Sequence, residues 1–192
     1  MERKKFFKID WILILTYFFL IFFGLANIIS SSISGENFSL FDFSTLYSKQ
    51  LIFILLSLIV IIITLTIEVK FYERFSSVFY LICLLLLFGL FIFGDTINGA
   101  LSWYSFNTIT VQPSEFMKIG TALATAKFIS DFQTNLKKTS DQLKIFLIIF
   151  LPVITIILQN DTGTAIVFLS LFFVLYREGI SQAYLLIVFI II

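Results

Sequence analysis

The chain has 192 residues, of which 59% are hydrophobic and 13% charged, and its mean hydropathy is +1.05. A soluble domain is about a quarter charged, so this is a membrane-protein composition. The absence of histidine excludes His-based triads and His metal sites. The single cysteine, Cys83, excludes a disulfide framework or cysteine metal cluster, and a net charge of +1 gives a nucleic-acid partner no electrostatic support.

Residues 1–8 form a basic head. Ile9 to Ile29 is then a nearly unbroken apolar run, and about 20 apolar residues span the hydrocarbon core of a bilayer. A signal peptide is the rival reading, but the run is too long for a signal core and more spans follow. An uncleaved first helix with Asp10 and Trp11 at the interface is therefore expected. Ser30 to Ser44 reads as a polar loop. A second span is predicted over about 47–67, a short charged turn over 68–74, and a third span over about 75–93. Gly94 to Gln112 is too polar to span and too aromatic for a plain linker. It reads as an interfacial or partly re-entrant loop with Trp103 and Tyr104 at headgroup depth.

A fourth span begins at Pro113 and runs to about residue 129. It is the least hydrophobic, and its small residues Gly120, Ala122, Ala124 and Ala126 suit close packing inside a bundle. A polar loop over 131–144 precedes a fifth span over about 145–158. Gln159 to Thr164 interrupts the apolar sequence, a sixth span covers about 164–176, and a seventh starts near 183 and is still incomplete at 192. All of these are expected to belong to one transmembrane domain. The 26 phenylalanines are read as lipid-facing or packing residues.

Lysine and arginine set the orientation. With the N-terminus inside, the cytoplasmic segments hold Arg3, Lys4, Lys5, Lys8, Lys70, Arg74, Lys127, Lys137, Lys138, Lys144 and Arg177, and the outer loops only Lys49. Three polar stretches then fall on the outer side: Gly94–Gln112, the start of the fourth helix, and Gln159–Thr164.

The central stretch is Gln112-Pro113-Ser114-Glu115-Phe116-Met117-Lys118. Pro113 suits the first position of a helix, where its missing N–H is no loss. Glu115 and Lys118 then lie about one turn apart on one face. One reading is a structural ion pair. The other is a polar cavity, since intramembrane charges mark functional sites by default, with Lys118 attracting a phosphate and Glu115 orienting it or holding a proton. Asp161 reads as a helix N-cap, compatible with a place in the cavity. Gly163 permits tight backbone geometry or close helix approach, and Gln159 and Asn160 carry amides that would be costly against lipid. Trp103 alone reads as an interfacial anchor. No nucleophile stands beside a base.

At these residues the chain resembles the SEDS family (shape, elongation, division and sporulation). The family pattern is Gly-Ala-x-Arg-Trp, then Gln-Pro-Ser-Glu-x-x-Lys, then Gln-Pro-Asp-x-Gly-Thr. Here these stand as Gly99-Ala100-Leu101-Ser102-Trp103, Gln112 to Lys118, and Gln159-Asn160-Asp161-Thr162-Gly163-Thr164. The stretches Ile9-Asp10-Trp11, Asn27 to Ser30, Phe41 to Ser44 and Lys49-Gln50 look more like the RodA group of the Bacteroidetes type than the FtsW group. Three departures stand out: Ser102 for arginine, Asn160 for proline, and Thr162 for an apolar residue.

The resemblance implies an all-α bundle of ten transmembrane helices, of which this chain is the N-terminal part, with six helices and the start of a seventh. It implies a peptidoglycan glycosyltransferase of the bacterial inner membrane that polymerises lipid II and works with a class B penicillin-binding protein. Glu115, Lys118 and Asp161 match positions lining the family's central cavity, with Gln112, Pro113, Ser114, Gln159, Gly163 and Trp103 in support. The family's proposed catalytic aspartate lies in an outer loop beyond residue 192, so no catalytic residue is expected in this chain, and the chain alone is expected to be inactive. No cofactor is implied here, and a divalent cation stays open for the full-length enzyme. A lipid II flippase, an FtsW-like division protein and a noncatalytic scaffold remain the rival expectations.

Overall fold

The structure is a computed structural model that describes residues 10–32, 45–106, 109–131, 134–181 and 184. The chain divides into two compact units, Met1–Ile67 and Glu68–Ile192. The basic head, the Ser-rich stretch 33–44 and nearly all of the seventh apolar run lie outside the described residues.

The first unit holds α1 (Trp11–Ser32) and α2 (Leu46–Thr66). Asp10 caps α1: its Oδ1 accepts from the backbone N–H groups of Ile12 and Leu13, both at 3.1 Å. That satisfies two of the donors a helix start leaves free. Both helices are long and apolar enough to cross a membrane. Away from their polar ends both helices are apolar almost throughout, as membrane-spanning helices are.

The second unit runs α3 (Val69–Phe93), a three-stranded antiparallel meander, α4 (Pro113–Ser130), α5 (Thr139–Leu158), α6 (Thr162–Leu169) and α7 (Leu171–Arg177). α3 and α5 also reach the length and hydropathy of a membrane span. α3 starts six residues earlier than predicted. Glu68 takes an extended N-cap conformation, and Lys70, Glu73 and Arg74 form the first turns rather than a separate charged turn. Long charged side chains tolerate helix well and reach outward from it. α5 likewise begins inside the predicted polar loop. Asp141, in its first turn, accepts from the Asn135 backbone at 3.0 Å and pairs with Lys144 at 3.2 Å. The sixth apolar run has a one-residue interruption at Ser170, whose hydroxyl donates to the Val167 carbonyl at 2.7 Å.

α3 and α4 form the tightest seam. α4 buries Pro113, Ser114, Met117, Gly120, Thr121, Ala124 and Thr125, a stripe at helical spacing. At Gly120 a Cβ would already stand 3.4 Å from the Tyr80 Cα, so the two backbones approach closely. α5 contributes Ile145, Ile149, Val153 and Ile156 to the same core, which Phe168, Phe172 and Leu175 complete. Pro152 lies inside α5 and supplies no N–H to the carbonyl of Ile148, one turn back. The Tyr80 hydroxyl donates to that carbonyl at 3.0 Å. In a membrane a freed backbone carbonyl needs such a partner.

The stretch 94–112, expected as an interfacial or partly re-entrant loop, forms the meander: β1 (Asp95–Ile97), β2 (Ala100–Phe106) and β3 (Ile109–Val111). Its first turn is Asn98-Gly99, with φ of 53° and 86°. Two positive φ values make a type I′ turn, which matches the twist of paired strands and favours Asn-Gly. Ile97 and Ala100 pair across it, and a bulge between Asp95 and Thr96 shifts the register so that Asp95 faces Trp103.

Candidate functional site

The three polar stretches meet at the meander end of the second unit. Alternation along β2 turns Ser102 and Tyr104 to one face and Trp103 to the other. The Tyr104 hydroxyl donates to the Leu86 carbonyl of α3 at 2.8 Å. Gly89 makes room for it, since a Cβ there would lie 2.5 Å from the Tyr104 oxygen. Burial pushes the Tyr104 phenol above its ordinary pKa. Trp103 is partly buried and stands opposite Asp95 in the register of the meander.

Gln159 ties three elements. Its Nε2 donates to the Leu87 carbonyl of α3 at 2.7 Å, and its backbone carbonyl accepts from the Leu101 N–H of β2 at 2.9 Å. Its side chain is 1% exposed. Asn160 follows with φ of 60°, a left-handed conformation that asparagine tolerates and proline cannot adopt. The departure from the proline of the motif is therefore matched by the backbone. Asp161 caps α6, as its position before Thr162 predicts: Oδ1 accepts from the Thr164 N–H at 3.2 Å. Its second oxygen, Oδ2, accepts from Gln112 Nε2 at 2.9 Å. This bond joins the stretch at the start of α4 directly to the stretch at the start of α6.

Pro113 occupies the first turn of α4, and the Glu115 N–H donates to the Gln112 carbonyl at 3.1 Å. Lys118 Nζ stands 2.8 Å from Glu115 Oε1; the lysine side chain is 30% exposed and the glutamate 55%. An exposed pair one turn apart stabilises a helix by only about 0.5 kcal/mol. Stability is thus a weak reason for placing two charges in so apolar a chain. The Lys118 ammonium has three donors, one of them on Glu115. The α4 N-terminus adds a partial positive charge.

Several expectations change here. Among the described residues a Cβ at Gly163 would meet nothing within 4 Å, and its φ is not positive, so neither tight backbone geometry nor close helix approach within them accounts for this glycine. Ser102, at the position of the family's arginine, is 1% exposed, and its Oγ has no hydrogen-bond partner among the described residues. The Ser114 Oγ and the Gln159 Oε1 are buried in the same state. Sequence reasoning missed Asp10 as a cap, the Tyr104–Leu86 bond and the Gly89 notch. Among the described residues no three His, Cys, Asp or Glu side chains gather into a cation site. Beside the meander an apolar cleft of about 330 Å3 is lined by Phe79, Leu86, Tyr104, Val111, Pro113 and Phe116.

Residues 10–192 match the family described as "Cell cycle protein", the FtsW/RodA/SpoVE group. The chain belongs to this family. With four spanning-length apolar helices among the described residues it is an integral membrane protein. It is 34% identical over 131 residues to the peptidoglycan glycosyltransferase MrdB of Escherichia coli K12, covering 67% of this chain and 35% of that protein. The rod shape determining protein RodA of Thermus thermophilus superposes with a TM-score of 0.81 at 25% identity, over 96% of this chain and 58% of that one. A chain of a peptidoglycan synthase complex, whose structure concerns coordinated polymerization and crosslinking, gives 0.79 at 25% identity, over 94% of this chain and 51% of that one. The chain thus spans about a third of MrdB and just over half of RodA.

Proposed function

We propose that this chain is the N-terminal part of a peptidoglycan glycosyltransferase that polymerises lipid II, and that Glu115, Lys118 and Asp161 line the cavity holding the substrate. The observation that carries the reading is the 2.9 Å bond from Gln112 to Asp161. It brings two separate polar stretches together at one end of the bundle, on the same helix start as the Glu115–Lys118 pair. Lipid II joins a pyrophosphate to a polyisoprenoid chain. A partly exposed ammonium in the second turn of α4, and an apolar cleft of about 330 Å3 at the same end of that helix, suit the two halves of that molecule.

In this reading Lys118 binds the pyrophosphate and offsets charge developing on the leaving group. Glu115 orients the ammonium. Asp161, with one oxygen on the Thr164 N–H and the other on Gln112, fixes how the starts of α4 and α6 meet. The residue that performs the transfer is assigned outside this chain, and no cation ligand is assigned to it. The names of the relatives support the activity, and the match to the synthase-complex chain supports a class B penicillin-binding protein as partner. The distribution of positive charge supports a cytoplasmic N-terminus and an outward meander end in the inner membrane, and the reading takes α4 and the α6–α7 pair as crossing members of a ten-helix bundle.

The test uses the full-length protein with its partner in a lipid II polymerisation assay. Glu115→Ala and Lys118→Ala variants that insert and fold are expected to polymerise about 100-fold more slowly. Unchanged rates would overturn the site assignment. A transport reading draws on one feature, the interruption of helix between α5 and α6 over Gln159–Asp161. It would be favoured if the same variants blocked lipid II translocation in vesicles while polymerisation stayed intact.

A further inference from the structure

The other end of the second unit carries a feature that lipid II chemistry leaves unused. Two clefts open there, and Lys127 lines both. One, of about 330 Å3, is formed by Ser77, Tyr80, Leu81, Phe128, Asp131 and Ile148. The other, of about 310 Å3, is formed by Val69, Tyr72, Glu73, Leu123, Ala126 and Ser130. Lys127 sits in the last turn of α4, and its Nζ rests on the Ser77 hydroxyl at 3.1 Å, a neutral partner. An ammonium has three donors, so this bond leaves capacity for an anion.

From the geometry we infer that Lys127 holds the phosphate of an anionic glycerophospholipid, whose two acyl chains enter the two clefts that α3 and α4 wall and Lys127 joins. Three observations point to this occupant. The cleft walls are largely apolar below the lysine, which suits hydrocarbon rather than a free ion. The site lies at the charged end of membrane-length helices, where headgroups sit. This end of the unit carries seven basic side chains against five acidic ones, whereas the meander end carries one against three. Charge complementarity therefore favours an anionic headgroup here.

The experiment purifies the full chain in micelles containing equal phosphatidylglycerol and phosphatidylethanolamine and counts retained lipids by native mass spectrometry. Wild type is expected to keep phosphatidylglycerol preferentially, and excess inorganic phosphate is expected to leave it bound. Lys127→Ala should lower retention about fivefold, Lys127→Arg should preserve it, and Lys137→Ala, in the neighbouring loop, should leave it unchanged. Thermal melts of each variant establish that the chain is folded, and Ser77→Ala, with a smaller loss expected, serves if Lys127→Ala does not fold. Equal retention in wild type and Lys127→Ala overturns the inference. So does preference for phosphatidylethanolamine, or displacement by inorganic phosphate. Polymerase activity is not read, so the outcome is independent of the lipid II assignment.

Discussion

The two ends of the second unit hold ion pairs of the same design. At the meander end Glu115 pairs with Lys118 in the first turn of α4; at the opposite end Asp141 pairs with Lys144 in the first turn of α5. Each acid stands three residues before its lysine, where the helix dipole favours it. Their surroundings differ. Beside the first pair the polar groups run inward: Gln159 is buried, Gln112 reaches Asp161, and Ser102 and Ser114 are enclosed. Beside the second the contacts stay local, since Asp141 accepts from Asn135 six residues away and Lys144 is 60% exposed. Equal local geometry therefore serves a loop-to-helix join at one end and a polar interior at the other.

The sharpest way to break this contrast is Gln159→Glu. The carboxylate would face the Leu87 carbonyl at a position that is 1% exposed. An uncompensated buried charge costs about 3–5 kcal/mol, so the melting midpoint in detergent should fall by many degrees, with loss of the meander's contact to α3. A midpoint within a degree or two of wild type would mean that the meander end is wetter than its packing. The next effect belongs to the middle of the unit. Tyr80→Phe removes the donor that serves the Ile148 carbonyl opposite Pro152. About 1–2 kcal/mol should be lost. Pro152→Ala in the same chain should recover most of it by restoring the helical N–H, and a strictly additive double variant would sink this account.

Much of this was legible in the residues. Helix existence followed from long apolar runs, the start of α4 from Pro113, and the cap of α6 from Asp161. The convergence of the three polar stretches at one end followed from counting spans. The helix starts at Val69 and Thr139 did not, because the charged residues that suggest a turn at 68–74 and a polar loop at 131–144 form first helical turns. The meander was missed although Asn98-Gly99 is a strong hairpin signal. The aromatic and polar residues around it drew the reading toward an interfacial loop. The partners of Gln112 and Gln159 lie 49 and 72 residues away, and no local pattern specifies such pairs. Asn160 shows the reverse case: a departure from a motif becomes intelligible once its φ is known.

Gly99→Val tests the turn itself. A β-branched residue at φ 86° is strained, and about 1–2 kcal/mol of stability should be lost. Gly99→Asn should cost less, because asparagine tolerates left-handed backbone. Equal losses for the two, read as melting midpoints, would place the cost in packing rather than in backbone conformation.

The smallest stability effects return to the paired lysines and separate geometry from role. Lys118→Ala and Lys144→Ala each remove the partly exposed lysine of a pair; Asp141, 12% exposed, keeps its bond from the Asn135 N–H, and each variant should shift stability by about 1 kcal/mol or less. Two nearly silent melts make the pair a clean control for activity. In full-length protein the Lys118 variant should polymerise lipid II about 100-fold more slowly, while the Lys144 variant should run at the wild-type rate. If both variants slowed alike, the charge pairs would act through helix positioning common to both ends. If neither slowed, the meander end would hold its polar interior for folding alone, and the pyrophosphate would have to be met by other cations.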